Sequence, residues 1–229
     1  MAVFVVMPWS EAPFAALSFW AWLMAYRRKW LYVGILAGLA MYVRINGIFL
    51  TLSILVLFLA LERRLKFQFL YLLIPAMVLL GHFAYLHSVT GSWTAWRDAM
   101  ADHFNRHLVD PWSSLHSTYS LITTYVPGTI SFRFIAEILT AALLVWAVVV
   151  LMRLRFWAES SYVAITLISL ITADFYQAIP RTTIYLFPVW LLIGRWVTRS
   201  RALLVTYCVC SIPIFVAMLY LLFRGQWVG

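Results

Sequence analysis

Long apolar stretches alternate along the chain with short turns that are rich in charged residues. Read as helices, the stretches give eight candidates: residues 12–26, 30–43, 48–61, 67–89, 134–152, 158–173, 182–197 and 202–223. Several are shorter than the roughly 20 apolar residues that a perpendicular span needs, a deficit that neighbouring helices and interfacial aromatic residues make tolerable. The pattern predicts an all-α integral membrane protein with about eight transmembrane helices, in a single polytopic domain over residues 1–229.

The longest polar segment, residues 90–133, contains an amphipathic pattern of its own. In SWTAWRDAMADHFNRHL, apolar side chains recur at helical spacing: Trp93, Trp96, Met100 and Phe104. The charged residues of this stretch fall on the opposite face, and Gly91 and Pro111 bracket it. We therefore expect a long loop that carries a helix lying in the membrane surface.

Composition excludes a soluble globular domain. Of the 229 residues, 65% are hydrophobic and only 11% are charged, with a mean hydropathy of +0.91, which leaves too little polar surface for a fold in water. The net charge of +9 comes from Lys and Arg in the turns, so it reflects membrane topology, and no nucleic-acid partner is expected. Cys208 and Cys210 lie within an apolar stretch and are expected to be packing residues.

The distribution of basic residues predicts which side of the membrane each turn faces. Eleven of the 17 Lys and Arg residues lie after or at the ends of the first, third, fifth and seventh candidate helices. By the positive-inside rule those turns are cytoplasmic. The chain start, the turn at 44–47, the loop 90–133 and the turn at 174–181 then lie outside, with most of the carboxylates. Any chemistry is expected on that outer face.

Glu11 and Arg44 are the first candidate functional residues. Glu11 follows Ser10 at the start of the first candidate helix, where a carboxylate either stabilises the helix end or holds a substrate hydroxyl or a basic partner. Arg44, in YVRINGIFL, stands at the outer end of the second helix, and a charge at membrane depth costs ~2.5–3.5 kcal/mol. Glu11 or a lipid phosphate would serve as its partner. Alternatively, the Arg44 side chain would snorkel, extending its guanidinium group to the lipid headgroups.

Arg181 repeats this pattern within DFYQAIPRTTIYLFPVW, where Asp174 and Tyr185 flank it and Pro188 is expected to kink the seventh candidate helix. Two outer arginines from different hairpins can embrace one phosphate or diphosphate. We therefore predict a substrate-binding set of five residues: Glu11, Arg44, Asp174, Arg181 and Tyr185.

Three further residues carry weaker signals. Glu137 is a carboxylate within an apolar stretch, which is either functional or stabilised by its helix N-terminus. His103 and His107 have the spacing of metal ligands but no obvious third ligand. No metal site is assigned, and the sequence does not decide whether a divalent metal is needed.

Three stretches together resemble the PIG-V-like mannosyltransferases, the family of GPI mannosyltransferase 2 and its bacterial relatives. They are MPWSEAPFAALSFWAWLMAYRRKWLYVGILAGLAMYVRINGIFL, the outer segment that ends in RHLVDPW, and IPRTTIYLFPVWLLIG. The resemblance covers most of the chain in the family's order. It implies a GT-C type glycosyltransferase that takes a sugar, here mannose, from a polyprenyl-phosphate donor to a lipid or glycan acceptor. The expected location is the bacterial inner membrane, or the endoplasmic reticulum membrane in a eukaryote.

The resemblance also implies roles for the predicted residues. Arg44 and Arg181 would contact the phosphate or the acceptor, and Glu11 would be a positioning carboxylate. The acidic residue that acts as base in the family is expected in an outer loop upstream of the segment with which this chain begins. We therefore expect the chain to correspond to a C-terminal portion of a longer family member, to a start-site error or to a naturally shortened relative, and we name no catalytic base.

Two other functions fit the same residues. A transporter or flippase for a lipid-linked or anionic substrate would also use outer arginines and broken helices. A non-catalytic membrane partner subunit would need neither a base nor a donor site.

Overall fold

The computed structural model describes residues 9–64, 66–104, 107–124 and 129–224, and every regular element within those ranges is helical. The elements follow in chain order: α1 (Glu11–Tyr26), α2 (Trp30–Val43), α3 (Gly47–Glu62), a 3-10 helix (Phe67–Leu73), α4 (Ile74–Thr90), α5 (Ala95–Phe104), α6 (Pro111–Thr124), α7 (Thr129–Arg153), α8 (Trp157–Ile171), α9 (Ile179–Thr182), a second 3-10 helix (Thr183–Tyr185), α10 (Phe187–Val197) and α11 (Arg201–Phe223). The predicted all-α fold is confirmed for the part of the chain described.

Among the described residues, two helical segments are long and apolar enough to cross a membrane. They are Phe67–Thr90, with 24 residues, and Phe132–Arg153, with 22 residues. Only 11% and 33% of their most apolar windows are buried inside the protein, so most of this apolar surface is left uncovered. Five further apolar helices of 10–17 residues accompany them in the described part of the chain.

The seventh predicted helix, residues 182–197, is wrong as a continuous element. The structure divides this region into α9, the second 3-10 helix and α10. Pro188 does not kink a helix, because it lies in the first turn of α10, where the missing amide hydrogen is not needed. The break leaves Arg181 and Tyr185 on short, irregular backbone.

The loop between α4 and α7 holds two helices. The predicted amphipathic helix is present as α5. Helix α6 was not predicted, and it begins at Pro111, which the sequence marked only as the boundary after the amphipathic stretch. Asp110 caps α6, since its Oδ1 accepts hydrogen bonds from the amides of Trp112 and Ser113, both at 3.0 Å. Hydrogen bonds from Ser113 and Trp112 lower the pKa of Asp110.

The core is built around the α1–α2 hairpin, with α4 packed on α2 and with α8 in contact with both α3 and α7. Large aromatic side chains fill it, for example Trp30, which meets Phe58 edge to face at a ring-centroid distance of 4.6 Å. Close backbone approaches are made at glycines. A Cβ atom on Gly47 would lie 2.6 Å from Met41 Cα, so this glycine permits the reversal from α2 into α3 by its small size.

Gly34→Ala is expected to destabilise the protein by about 1–3 kcal/mol, because the new Cβ would lie 2.2 Å from the backbone oxygen of Tyr71. Backbone cannot move aside as a flexible side chain can. Thermal unfolding in detergent measures the effect. Gly81→Ala is the matched control, since nothing lies within 4 Å of a Cβ at that position. Equal melting temperatures for the two variants would contradict the packing of α2.

Contacts at the end of α1 join the turns that carry the basic clusters. The hydroxyl of Tyr26 donates a hydrogen bond to Glu159 at the start of α8. Glu62, at the end of α3, accepts from Trp30 Nε1 at 3.2 Å, pairs with Lys66 and lies 3.9 Å from Arg28 Nε. The turns after α1, α3 and α7 therefore meet at one end of the molecule.

Candidate functional site

A buried carboxylate lies at the opposite end of α1, in its first turn. Glu11 is only 2% exposed. Ser10 makes no side-chain cap to α1, and its Oγ instead accepts a hydrogen bond from Arg44 Nη1 at 2.8 Å. The residue pair at the helix start is therefore used for tertiary contact with the next turn.

Two guanidinium groups converge on the same oxygen of Glu11. Arg44 Nη1 lies 2.6 Å and Arg181 Nε lies 3.1 Å from Glu11 Oε1. Glu11, one of the partners considered for Arg44, is thus its partner in the structure, and Arg181 joins the pair from a distant part of the chain. We call these three residues the outer charge cluster. Their roles in substrate binding stay predictions.

The outer charge cluster carries one positive charge in excess. The side chains of Arg44 and Arg181 remain 22% and 19% exposed, while that of Glu11 is 3% exposed. Burial lowers the pKa of Arg181, an effect that the negative charge of Glu11 opposes and the positive charge of Arg44 adds to. An arginine nevertheless stays protonated in proteins. The cluster is therefore a cationic surface over a buried anion, and it suits an incoming anionic group.

Aromatic rings line this cluster. Arg44 Cζ lies 5.9 Å from the ring centroid of Tyr185, and Arg181 Cζ lies 5.0 Å from that of Trp9, distances at which a cation and a ring attract each other. Tyr185 itself is 1% exposed and its hydroxyl accepts a hydrogen bond from Asn46 Nδ2 at 3.0 Å. Asn46 is a site residue that the sequence reading missed, although it stands two residues after Arg44.

Short backbone elements place the two arginines. Arg44 follows the last residue of α2 with extended backbone, and the Gly47 amide donates to its carbonyl at 2.9 Å to close the turn. Arg181 lies in the single turn of α9. The start of that turn is held by Glu137 of α7, whose two carboxylate oxygens accept from the amides of Ala178 and Ile179 at 2.9 and 2.8 Å.

Asp174 takes part in a different contact. Its Oδ2 accepts a hydrogen bond from the backbone amide of His107 at 3.1 Å. Two neighbouring hydrogen bonds join the same two parts of the chain. The Tyr176 amide donates to Thr118 Oγ1 at 2.8 Å, and the Val109 amide donates to the Thr172 carbonyl at 3.0 Å. Asp174 thus helps to tie the polar segment to the turn before α9, and its predicted contact with substrate stays a prediction.

An apolar groove of about 500 Å³ runs between α1 and the segment 184–191. Aromatic side chains form most of its walls, and Ile184 lines it with them: Phe19, Trp22, Tyr26, Phe187 and Trp190. The groove and the outer charge cluster share α1, and Ile184 adjoins Tyr185, whose ring faces Arg44. An amphiphile with an anionic head could occupy both.

Metal-ligating residues are dispersed in the described part of the chain, where no group of three or more His, Cys, Asp or Glu could hold an ion. The side chain of His103 lies outside the described residues, so the His103–His107 pair is not tested.

No protein-family model, no curated protein and no solved structure matches this chain.

Proposed function

We propose that this protein is an integral membrane glycosyltransferase that moves a sugar, mannose by the family resemblance, from a polyprenyl-phosphate donor to a lipid or glycan acceptor. The reaction takes place on the periplasmic or lumenal face. The observation that carries the proposal is the outer charge cluster, in which Arg44 and Arg181 meet at Glu11, together with an aromatic groove further along α1.

The charge of the cluster supports a phosphate ligand. Guanidinium groups bind phosphate oxygens with charge-assisted, directional hydrogen bonds. Arg44 and Arg181 are both partly exposed, whereas the carboxylate between them is buried. A phosphate could therefore approach the outer sides of both guanidinium groups without displacing Glu11.

The apolar groove supports a lipid tail. Phe19 and Tyr26 follow Glu11 by eight and fifteen residues on α1, which places them about 12 Å and about 22 Å along the helix axis at 1.5 Å per residue. The groove therefore begins beyond the cluster along the axis of α1 and runs towards the C-terminal end of that helix. A chain of isoprene units attached to a phosphate would follow this direction.

The grouping of the turns supports a multi-span membrane arrangement. The turns after α1, α3 and α7 meet around Glu62 and Glu159, and the turns that carry Arg44 and Arg181 meet at Glu11 at the other end of α1. Large apolar side chains are exposed along the helices between these ends, for example Leu31, Ile35 and Leu39 of α2. We propose about eight spans in a bacterial inner membrane, or in the endoplasmic reticulum membrane of a eukaryote.

The chemistry follows from the resemblance. An acceptor oxygen attacks C1 of the sugar in line, the bond from C1 to the phosphate oxygen breaks, and a base takes the acceptor proton. Arg44 and Arg181 would stabilise the charge that develops on the leaving phosphate. Glu11 is paired with both guanidinium groups, and it would keep them in position for the phosphate. No residue of this chain is assigned as the base.

A transporter or flippase is the second candidate. The broken region between α8 and α10 favours it, because Ala178 has left-handed backbone (φ 62°) and Arg181 lies on a single helical turn. Transporters bind anionic groups at such interruptions.

Transfer of labelled mannose tests the proposal. The full chain in proteoliposomes would receive polyprenyl-phosphomannose and a membrane lipid extract as acceptor. We expect labelled product and an equal amount of released polyprenyl phosphate. Movement of intact donor across the vesicle wall, with no labelled product, would support the transporter instead and contradict the glycosyltransferase.

A further inference from the structure

Glu137 is a buried carboxylate whose two oxygens are both used on one turn of backbone. It lies on α7, is 2% exposed, and accepts the amides of Ala178 and Ile179 at 2.9 and 2.8 Å. These amides come 41 and 42 residues later in the chain. The contact therefore fixes the start of α9 relative to a long helix of the core.

Both carboxylate oxygens of Glu137 are used as hydrogen-bond acceptors. A buried polar group is costly unless it has hydrogen-bond partners. The two amides supply them, one to each oxygen. A glutamine would have only one oxygen, so it could not accept from both amides in the same way.

The segment that Glu137 holds would not keep its shape alone. Ala178 has φ 62° and ψ 21°, a left-handed conformation that costs free energy for a residue with a Cβ atom. Helix α9 has four residues, too few to form independently. The Thr182 amide and hydroxyl both donate hydrogen bonds to the Ala178 carbonyl, at 3.0 and 2.8 Å. The turn is therefore closed on Ala178, whose own amide donates to Glu137.

We infer that Glu137 is a positioning residue that holds α9 so that the Arg181 side chain reaches Glu11. Arg181 lies three residues after Ala178, and its Nε is 3.1 Å from Glu11 Oε1. The expected effect of Glu137 on ligand binding rests on the proposed function. Its effect on the position of the Arg181 side chain rests only on the contacts described above.

A thermodynamic cycle tests the geometry without any ligand. Three variants of the full chain would be unfolded in detergent: Glu11→Gln, Arg181→Ala and the double variant. The difference between the melting-temperature shift of the double variant and the sum of the two single shifts measures the coupling between Glu11 and Arg181. The same cycle would be repeated with Glu137→Gln present. We expect the coupling to fall to less than half. An undiminished coupling would overturn the inference.

Two further variants keep the test decisive. Glu159→Gln is the matched control, because Glu159 is a buried carboxylate that contacts Tyr26 at the other end of α1; it should leave the coupling unchanged. If Glu137→Gln does not yield folded protein, Glu137→Asp keeps the charge but shortens the reach to the two amides. It should reduce the coupling partly, and full coupling with it would equally overturn the inference.

Ligand binding separates the two proposals. Glu137→Gln should weaken binding of polyprenyl phosphate about tenfold in the native background and cause no further loss in the Arg181→Ala background. Equal losses in both backgrounds would mean that Glu137 acts through the fold in general and would overturn the positioning role. Failure of the native chain to bind polyprenyl phosphate would count against the proposed function, while the melting-temperature cycle still decides the inference.

Discussion

Replacing Arg44 or Arg181 by alanine is expected to lower kcat/KM for transfer from polyprenyl-phosphomannose by about 10²–10³-fold, the loss typical of removing one preorganised donor to developing charge. Both guanidinium groups are fixed before substrate arrives, because each is paired with Glu11. Arg44→Lys and Arg181→Lys should recover part of the rate. Lysine keeps the charge but lacks the planar fork that bonds a phosphate and a carboxylate together.

Arg97→Ala is the matched control for these variants. Arg97 is another predicted outer arginine, but its side chain is 76% exposed and its partner is the neighbouring Asp98 at 3.7 Å. We expect its kcat/KM to equal that of the native chain. Transfer that is unaltered in both Arg44→Ala and Arg181→Ala would remove the outer charge cluster from the active site.

Glu11→Ala is expected to lower the free energy of unfolding by about 3–5 kcal/mol, the cost typical of removing one partner from a buried ion pair. The change leaves Arg44 and Arg181 close together with no shared counter-ion, and both are less than a quarter exposed. Glu11→Gln should cost less, because an amide oxygen still accepts a hydrogen bond. Unfolding in mixed detergent micelles measures both variants.

Asp98→Ala serves as the control for this prediction. It removes a carboxylate from an exposed pair with Arg97, for which a loss below about 1 kcal/mol is expected. If Glu11→Ala were no less stable than Asp98→Ala, the outer charge cluster would not be the structural junction described here.

Most helix positions were predictable because the alternation of apolar runs and charged turns can be read directly from the sequence. Seven of the eight candidates correspond to continuous helices or to a 3-10 helix that runs into α4, with ends within a few residues. The exception, residues 182–197, is broken before α10, where Pro188 favours a helix start, a preference that hydrophobicity does not record. Helix α6 carries a readable signal that was overlooked, namely Asp110 before Pro111 at its start.

Part of the candidate site followed from topology. Glu11 and Arg44 were predicted at the outer ends of consecutive helices, and consecutive antiparallel helices bring such ends together. Arg181 was assigned to the same side from charge alone. Its contact with Glu11 depends on how α9 packs against α7 and how the second 3-10 helix packs against α1, which is a property of the folded core.

Two partners could not be found from the sequence. Asn46 donates to Tyr185 across 139 residues, and Glu137 accepts backbone amides, which any residue type would supply. Neither contact leaves a pattern in spacing or composition. Glu137 was recognisable as an unusual carboxylate in an apolar stretch, but the segment that it holds was not.

Selective binding of a lipid phosphate tests the central claim most directly. The full chain in nanodiscs would be titrated with polyprenyl phosphate and with the corresponding polyprenol, which has the same tail and no charge. We predict that the phosphate binds about tenfold more tightly or better, as charge-assisted hydrogen bonds of about 1.5–3 kcal/mol imply, and that the Arg44→Ala, Arg181→Ala double variant binds both lipids alike. Equal affinity of the native chain for the two lipids, or a phosphate preference that persists in the double variant, would contradict it.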